Sequence, residues 1–162
     1  MDRLFHQLFH NNNISPYSFQ IKSADLISQR KNVILCAPTG AGKTWAALLG
    51  FLHAKRNSKP FADRVIYALP MRTLANSLYH STVEKCKNIF QVSTSVQEYY
   101  ESPQSLCITI QTGENKADPF FQGDIIFTTI DQLLSNYLNI PHSLPPKLSN
   151  INAGSLIGSL II

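Results

Sequence analysis

Apolar residues along the 162-residue chain fall into two rhythms. Short, β-branched runs occur at NVILC (32–36), RVIYAL (64–69), SLCITIQT (105–112) and DIIFTT (124–129), and each predicts a buried strand. Between them, helical spacing runs over residues 2–11, 17–30, 43–56, 72–90 and 130–138, with Ser15-Pro16 punctuating the first gap. RNSKPFAD (56–63), ENKADPFFQG (114–123) and PHSLPPKLSNINAG (141–154) have loop chemistry, while 91–104 shows no usable period. The final residues, 156–162, predict a buried strand entering the core. Strands alternating with helices predict an α/β fold with a mostly parallel sheet covered on both faces. No internal repeat or low-complexity segment interrupts it.

Composition narrows this picture only slightly. The length suits one domain with a real core, and 44% apolar against 15% charged residues is a lightly charged globular balance. A net charge of +4 and a pI near 9.0 suit a polyanionic partner. Cys36, Cys86 and Cys107 show neither CxxC spacing nor even pairing, which predicts reduced thiols and a cytoplasmic protein. No run approaches the roughly 20 apolar residues of a membrane span, and the start lacks a signal-peptide pattern, so no membrane partner is expected.

The chemistry begins at APTGAGKT (37–44), a phosphate-loop pattern with alanine first. Gly40 and Gly42 permit backbone angles that turn successive N–H groups toward one anion. Pro38, Thr39 and Ala41 complete the turn. Lys43 supplies a point charge for the β- and γ-phosphates, and the Thr44 hydroxyl suits a Mg²⁺ ligand. The helix expected after it directs its positive end at the same phosphates. ATP with Mg²⁺ is the cofactor this predicts, with Lys43 and Thr44 as the groups nearest the chemistry.

Four further stretches carry a family resemblance. PYSFQ (16–20) places Gln20 23 residues before Lys43 and resembles the Q motif of superfamily 2 helicases, in which the glutamine amide reads the adenine edge. Either Tyr17 or Phe19 would then pack on the base. ALPMRTLANSLYH (68–80) resembles helicase motif Ia, usually P-T-R-x-L-A. Pro70, Arg72, Leu74 and Ala75 match, and Met71 replaces threonine. By resemblance, Pro70 and Arg72 contact the backbone of the tracked strand, which positions it without reading sequence. TGE (112–114) stands where a Thr112–Gly113 nucleic-acid contact is found in that family. DIIFTTIDQLL resembles the motif that ends a strand with paired threonines, Thr128 and Thr129. These two either touch a phosphate or cap a helix, for which Thr129–Gln132 has capping-box spacing.

In this order the motifs are similar to the first RecA-like domain of a superfamily 2 helicase, with residues 1–14 as a helical lead-in and 15–162 as the ATP-binding part. The phrases GDIIFTTIDQLL and YALPMRTLANSL look most like the CRISPR-associated helicase of type I interference systems. That resemblance implies single-stranded DNA, a second RecA-like domain and either a separate HD nuclease or an effector complex as partners. An RNA helicase, a restriction translocase and a non-hydrolysing phosphate-loop module remain alternatives.

SLIGSLII resembles the apolar run before the family's Asp-Glu pair, yet Ile162 is the last residue. Asp124 opens its strand, at the end of the sheet opposite the phosphates, and Asp131 sits in a first helical turn as a dipole partner. The expectation is a chain that binds ATP or ADP weakly and hydrolyses almost nothing. His6 and His10 lie four apart but have no third ligand nearby, so no metal is expected there.

Overall fold

A computed structural model describes residues 2–9, 15–141 and 144–162. They form two compact units, Met1–Phe61 and Ala62–Ile162. His10, half of the histidine pair, lies outside the described residues.

The first unit contains α1 (Asp2–Leu8), α2 (Ser18–Ser28) and α3 (Lys43–Arg56). Leu4, Phe5 and Leu8 give α1 one buried face, and Phe9 meets the Trp45 ring edge-on at 5.5 Å. Nearly every residue of α3 from Trp45 to Ala54 is buried. Such an all-round apolar helix needs cover on several sides. Small residues let α2 supply part of it: a Cβ on Gly50 would lie 3.1 Å from the Ala24 carbonyl oxygen. Gln20 lies beside Gly42, and Ala24 and Ser28 lie beside Gly50, so α2 and α3 run in the same direction.

NVILC is not a strand. Residues 31–38 carry no regular structure and Ile34 is 99% exposed. A strand is defined by its ladder neighbours, and this run has none among the described residues.

The second unit is built on a five-stranded parallel sheet in the order β2-β3-β4-β1-β5. Its strands are β1 (Val65–Leu69), β2 (Val92–Ser93), β3 (Leu106–Gln111), β4 (Ile125–Thr129) and β5 (Leu160–Ile161). Every residue of β3 and β4 is buried, the signature of central parallel strands. Helix α4 (Arg72–Cys86) packs on β1, β3 and β4, and α6 (Ile130–Tyr137) packs on β1 and β4. This is the α/β, RecA-like architecture expected, with the sheet incomplete.

Four boundaries differ from the sequence reading. Helix α4 stops at Cys86 instead of 90. Residues 91–104 hold β2 and a short helix, α5 (Val96–Glu101), whose N-cap Ser95 accepts from Glu98 N–H. The stretch expected to be an irregular loop contains a 3₁₀ turn, Pro146–Leu148, and α7 (Ser149–Leu156). Of the final segment only Leu160–Ile161 is strand, at the sheet edge, and Ile157 is 78% exposed. The expected buried strand is therefore replaced by the end of α7, a turn and a two-residue edge strand.

Buried polar groups fix the loop before β4. The Asp118 carboxylate accepts from Thr109 Oγ1 (2.8 Å) and from the N–H groups of Gln122 and Gly123. Asp124 sits at the amino end of the sheet as expected: its Oδ2 accepts from Cys107 N–H and its carbonyl from Val65 N–H, tying three strands together. Phe121 has φ 54°, unusual for an aromatic residue, and is held by the core around Ile66 and Ile126 and by Arg64, which donates to its carbonyl.

Candidate nucleotide and nucleic-acid sites

In the first unit, Gly40 and Gly42 adopt φ of +81° and +80°, the left-handed region open to glycine. Gly42 is the N-cap of α3 and offers no side chain to the first helical N–H groups. Those donors and the positive end of α3 therefore remain suited to an anion. Because α2 runs in the same direction, its N-terminus lies at the same end of the pair.

Lys43 Nζ turns back into the loop and donates to the Ala37 and Pro38 carbonyls, both at 2.8 Å. An ammonium has three donors, and these carbonyls take two. No carboxylate engages it in these bonds. Thr39 and Gly40 are exposed at the loop's tip, while Ala41, Gly42, Lys43 and Thr44 are half-buried where it joins α3. Pro38 accepts from Ala41 N–H, closing the turn.

Gln20 is only 2% exposed. Its Oε1 accepts from Tyr17 N–H (2.9 Å) and its Nε2 donates to the Gly42 carbonyl (3.1 Å). The amide expected to face a base is thus turned onto the phosphate loop, with one N–H and one lone pair beyond these bonds. Tyr17 is 64% exposed, and its ring stacks on Phe19 with centroids 5.8 Å apart.

In the second unit, the strand register gathers the other candidates. Leu69 pairs with Thr129, and Gln111 with Thr128, so the carboxyl ends of β1, β4 and β3 stand side by side. Pro70–Arg72, Thr128–Thr129 and Thr112–Gly113 leave those three ends, the edge at which open α/β sheets bind ligands.

Individual side chains then differ. Thr112 is buried; its Oγ1 accepts from Asn115 N–H and its N–H donates to the Asn115 carbonyl, so it locks a tight turn. Gly113 leaves space for Arg72, since a Cβ there would lie 3.0 Å from Arg72 Nη2. Arg72 Nη1 donates to Glu114 Oε1 at 2.8 Å. Thr128 is buried and donates to the Gln111 carbonyl at 2.7 Å. Thr129 is the N-cap of α6, but its side chain makes no cap bond. The expected capping box therefore does not form: Thr129 Oγ1 and Gln132 Oε1 are both buried without partners. Gln111 Nε2 is likewise unpartnered, giving three such atoms on β3, β4 and the first turn of α6. Asp131 does lie in that first turn.

Sequence alone gives no role to Glu114, although it stands in the TGE stretch. Its meaning depends on Arg72, 42 residues away, and no local pattern carries that distance. Among the described residues, no group of His, Cys, Asp and Glu could hold a metal ion, and no helix is long and apolar enough to cross a membrane.

The chain matches the DEAD/DEAH box helicase family over residues 17–153. It is 28% identical over 142 residues to the ATP-dependent DNA helicase Hel308 of Thermoplasma acidophilum, covering 82% of this chain and 20% of that protein. Over 155 residues it is 29% identical to the putative CRISPR-associated nuclease/helicase Cas3 of Methanocaldococcus jannaschii, covering 88% of this chain and 20% of that one. It is 30% identical over 90 residues to the ATP-dependent RNA helicase ROK1 of Eremothecium gossypii, covering 54% of this chain and 16% of the relative. The chain thus spans a fifth or less of the length of these curated relatives.

Proposed function

The chain belongs to the DEAD/DEAH box helicase family, and on that premise we propose that it is the ATP-binding portion of an ATP-dependent helicase or translocase acting on nucleic acid. One observation carries the nucleotide half of this reading: two left-handed glycines deliver the chain into α3 with no side-chain cap, and Lys43 lies folded over the same turn. Those residues fit a triphosphate tail, the uncapped helix end and the third ammonium donor supplying the contacts. Thr44 would hold Mg²⁺ through its hydroxyl. Such an ion would supply charge neutralisation at the phosphates. Gln20 and Tyr17 would form the base side of the site, the amide reporting to the loop through Gly42.

In the second unit, Pro70, Arg72, Thr112, Gly113, Thr128 and Thr129 would line a path for a nucleic-acid backbone. Arg72 would make the direct contact, the buried Thr129 hydroxyl would meet the backbone only once uncovered, and Thr112, Gly113 and Thr128 would shape the surface. Single-stranded DNA is the favoured ligand, in a CRISPR interference setting with a second RecA-like domain and a separate HD nuclease or effector complex. Similarity over 88% of the chain to the putative CRISPR-associated nuclease/helicase supports the CRISPR setting alone. Similarity to ROK1 supports an RNA helicase as the second reading. Residues 1–162 contain no Asp-Glu dipeptide, so turnover by these residues alone should be slight.

Calorimetric titration with Mg-ATP and Mg-ADP tests the reading. Wild type should give saturable heat, and Lys43→Ala should bind about tenfold or more weakly through loss of a charge-assisted hydrogen bond. A folded wild-type sample silent to millimolar nucleotide would end the proposal. Labelled oligothymidylate and oligouridylate, compared side by side, separate the DNA from the RNA reading.

A further inference from the structure

The turn after β3 places a carboxylate on the arginine that this reading assigns to the nucleic-acid backbone. Arg72 and Glu114 form an ion pair at 2.8 Å, their side chains 50% and 72% exposed. Three features build the contact. Thr112 locks the turn through its two bonds with Asn115, which fixes where Glu114 leaves the backbone. Gly113 carries no Cβ, so the guanidinium lies against the turn, Nη2 over Gly113 and Nη1 at Glu114. Met71, the N-cap of α4, makes no side-chain cap bond, so Arg72 projects from an uncapped helix start.

We infer that Glu114 is the resident anion of Arg72, an intramolecular stand-in for a phosphodiester, and that nucleic acid engages Arg72 by displacing it. The inference rests on the reading of Arg72 as a backbone contact and adds its regulation. Exchange leaves the summed charge of the pair at zero, so what favours it is donor geometry and solvation. Paired, the Arg72 donors are occupied by Glu114; separated, they are free for bidentate contact with a phosphate, while the exposed Glu114 carboxylate returns to water. An ion pair this exposed is among the weakest in proteins, so a phosphodiester arriving with neighbouring contacts can replace the carboxylate. A residue that merely held Arg72 in place would act in the opposite direction, since its removal would weaken binding.

The test is fluorescence anisotropy of a labelled oligothymidylate with the purified chain across a salt series, using wild type, Glu114→Gln, Arg72→Gln and the double variant. Glu114→Gln should bind roughly two- to fivefold tighter. Its plot of log affinity against log salt should steepen by up to about one unit, because Arg72 then counts as an additional net phosphate contact. Both gains should vanish in the Arg72→Gln background. If Arg72→Gln weakens binding while Glu114→Gln leaves it unchanged or weaker, the stand-in role is overturned and the backbone contact survives. If neither substitution alters binding, or wild type binds no oligonucleotide, both fall together.

Discussion

The side-chain amide of Gln20 donates to the Gly42 carbonyl at 3.1 Å, linking α2 to the phosphate loop across 22 residues of chain. The contact leaves no space for a larger residue: a Cβ on Gly42 would stand 2.5 Å from Gln20 Nε2. Gln20 cannot retreat freely, because it is buried and its Oε1 is held by Tyr17 N–H. Gly40, with almost the same φ, has nothing within 4 Å of its Cβ position.

This pair of glycines separates backbone strain from side-chain collision. Gly40→Ala should cost about 1–2 kcal/mol, the penalty of a left-handed backbone for an L-residue. Gly42→Ala should cost at least about 1 kcal/mol more, because it also disrupts the Gln20 bonds. Denaturant unfolding of both variants, repeated in a Gln20→Ala background, measures the difference. Equal costs for the two glycines would refute the coupling, as would an excess at Gly42 that persists without Gln20.

What the sequence revealed depended on how local the determinant was. Helix α3 begins and ends at the expected residues because a glycine turn starts it and its apolar character is continuous. The parallel strands β1, β3 and β4 are legible as short apolar runs, β3 and β4 buried throughout and β1 half-buried at Tyr67 and Ala68. NVILC has that composition too, yet pairing is a relation between segments and cannot be read from one of them. Helix α7, with sequence SNINAGSL, has poor intrinsic propensity. Tertiary bonds hold it: Asn152 Nδ2 donates to the Pro119 carbonyl and to Asn136 Oδ1. At the candidate sites, the residue types around Lys43 and Arg72 were legible, because motif spacing is local. The engagement of Gln20 with Gly42, of Thr128 with Gln111 and of Glu114 with Arg72 arises only when distant segments meet, whereas the Thr112 turn onto Asn115 is local.

Burial divides the three cysteines. Cys36 is exposed, whereas Cys86 and Cys107 are buried. Both buried thiols are pushed up from 9.0 to about 12, by burial in each case and, for Cys107, also by the Asp124 and Asp118 carboxylates. At neutral pH they stay protonated and shielded, so iodoacetamide should label Cys36 alone, as read by peptide mass spectrometry. The linkage sign follows from the raised folded-state values. Above pH 9 the unfolded chain releases thiol protons that the folded chain retains, so stability falls as pH rises from 9 toward 12. Tyr79, also raised by burial, adds to the same loss above pH 10. Urea midpoints measured across that range should decline, and a Cys86→Ala/Cys107→Ala variant should decline less steeply. Native-state labelling of either buried thiol at neutral pH would contradict the assignment.

The adjacent threonines Thr128 and Thr129 provide the sharpest division between holding the fold and holding a ligand. Thr128 donates to the buried Gln111 carbonyl at 2.7 Å, a bond between β4 and β3. Thr128→Val should therefore cost about 1–2 kcal/mol, since it strands that acceptor away from water. Thr129 Oγ1 is buried with no partner, so the protein gains no hydrogen bond from it. Thr129→Val, nearly the same shape, should leave stability within about 0.5 kcal/mol of wild type or raise it. A buried hydroxyl without a partner at the carboxyl end of a parallel strand is the arrangement that a phosphate contact would explain. On that account Thr129→Val weakens oligonucleotide binding while the unfolding transition stays put. Thermal or urea unfolding and anisotropy on the same preparations decide the matter. If Thr129→Val is as destabilising as Thr128→Val, its hydroxyl has a structural partner; if binding is unaltered, it does not meet the nucleic acid.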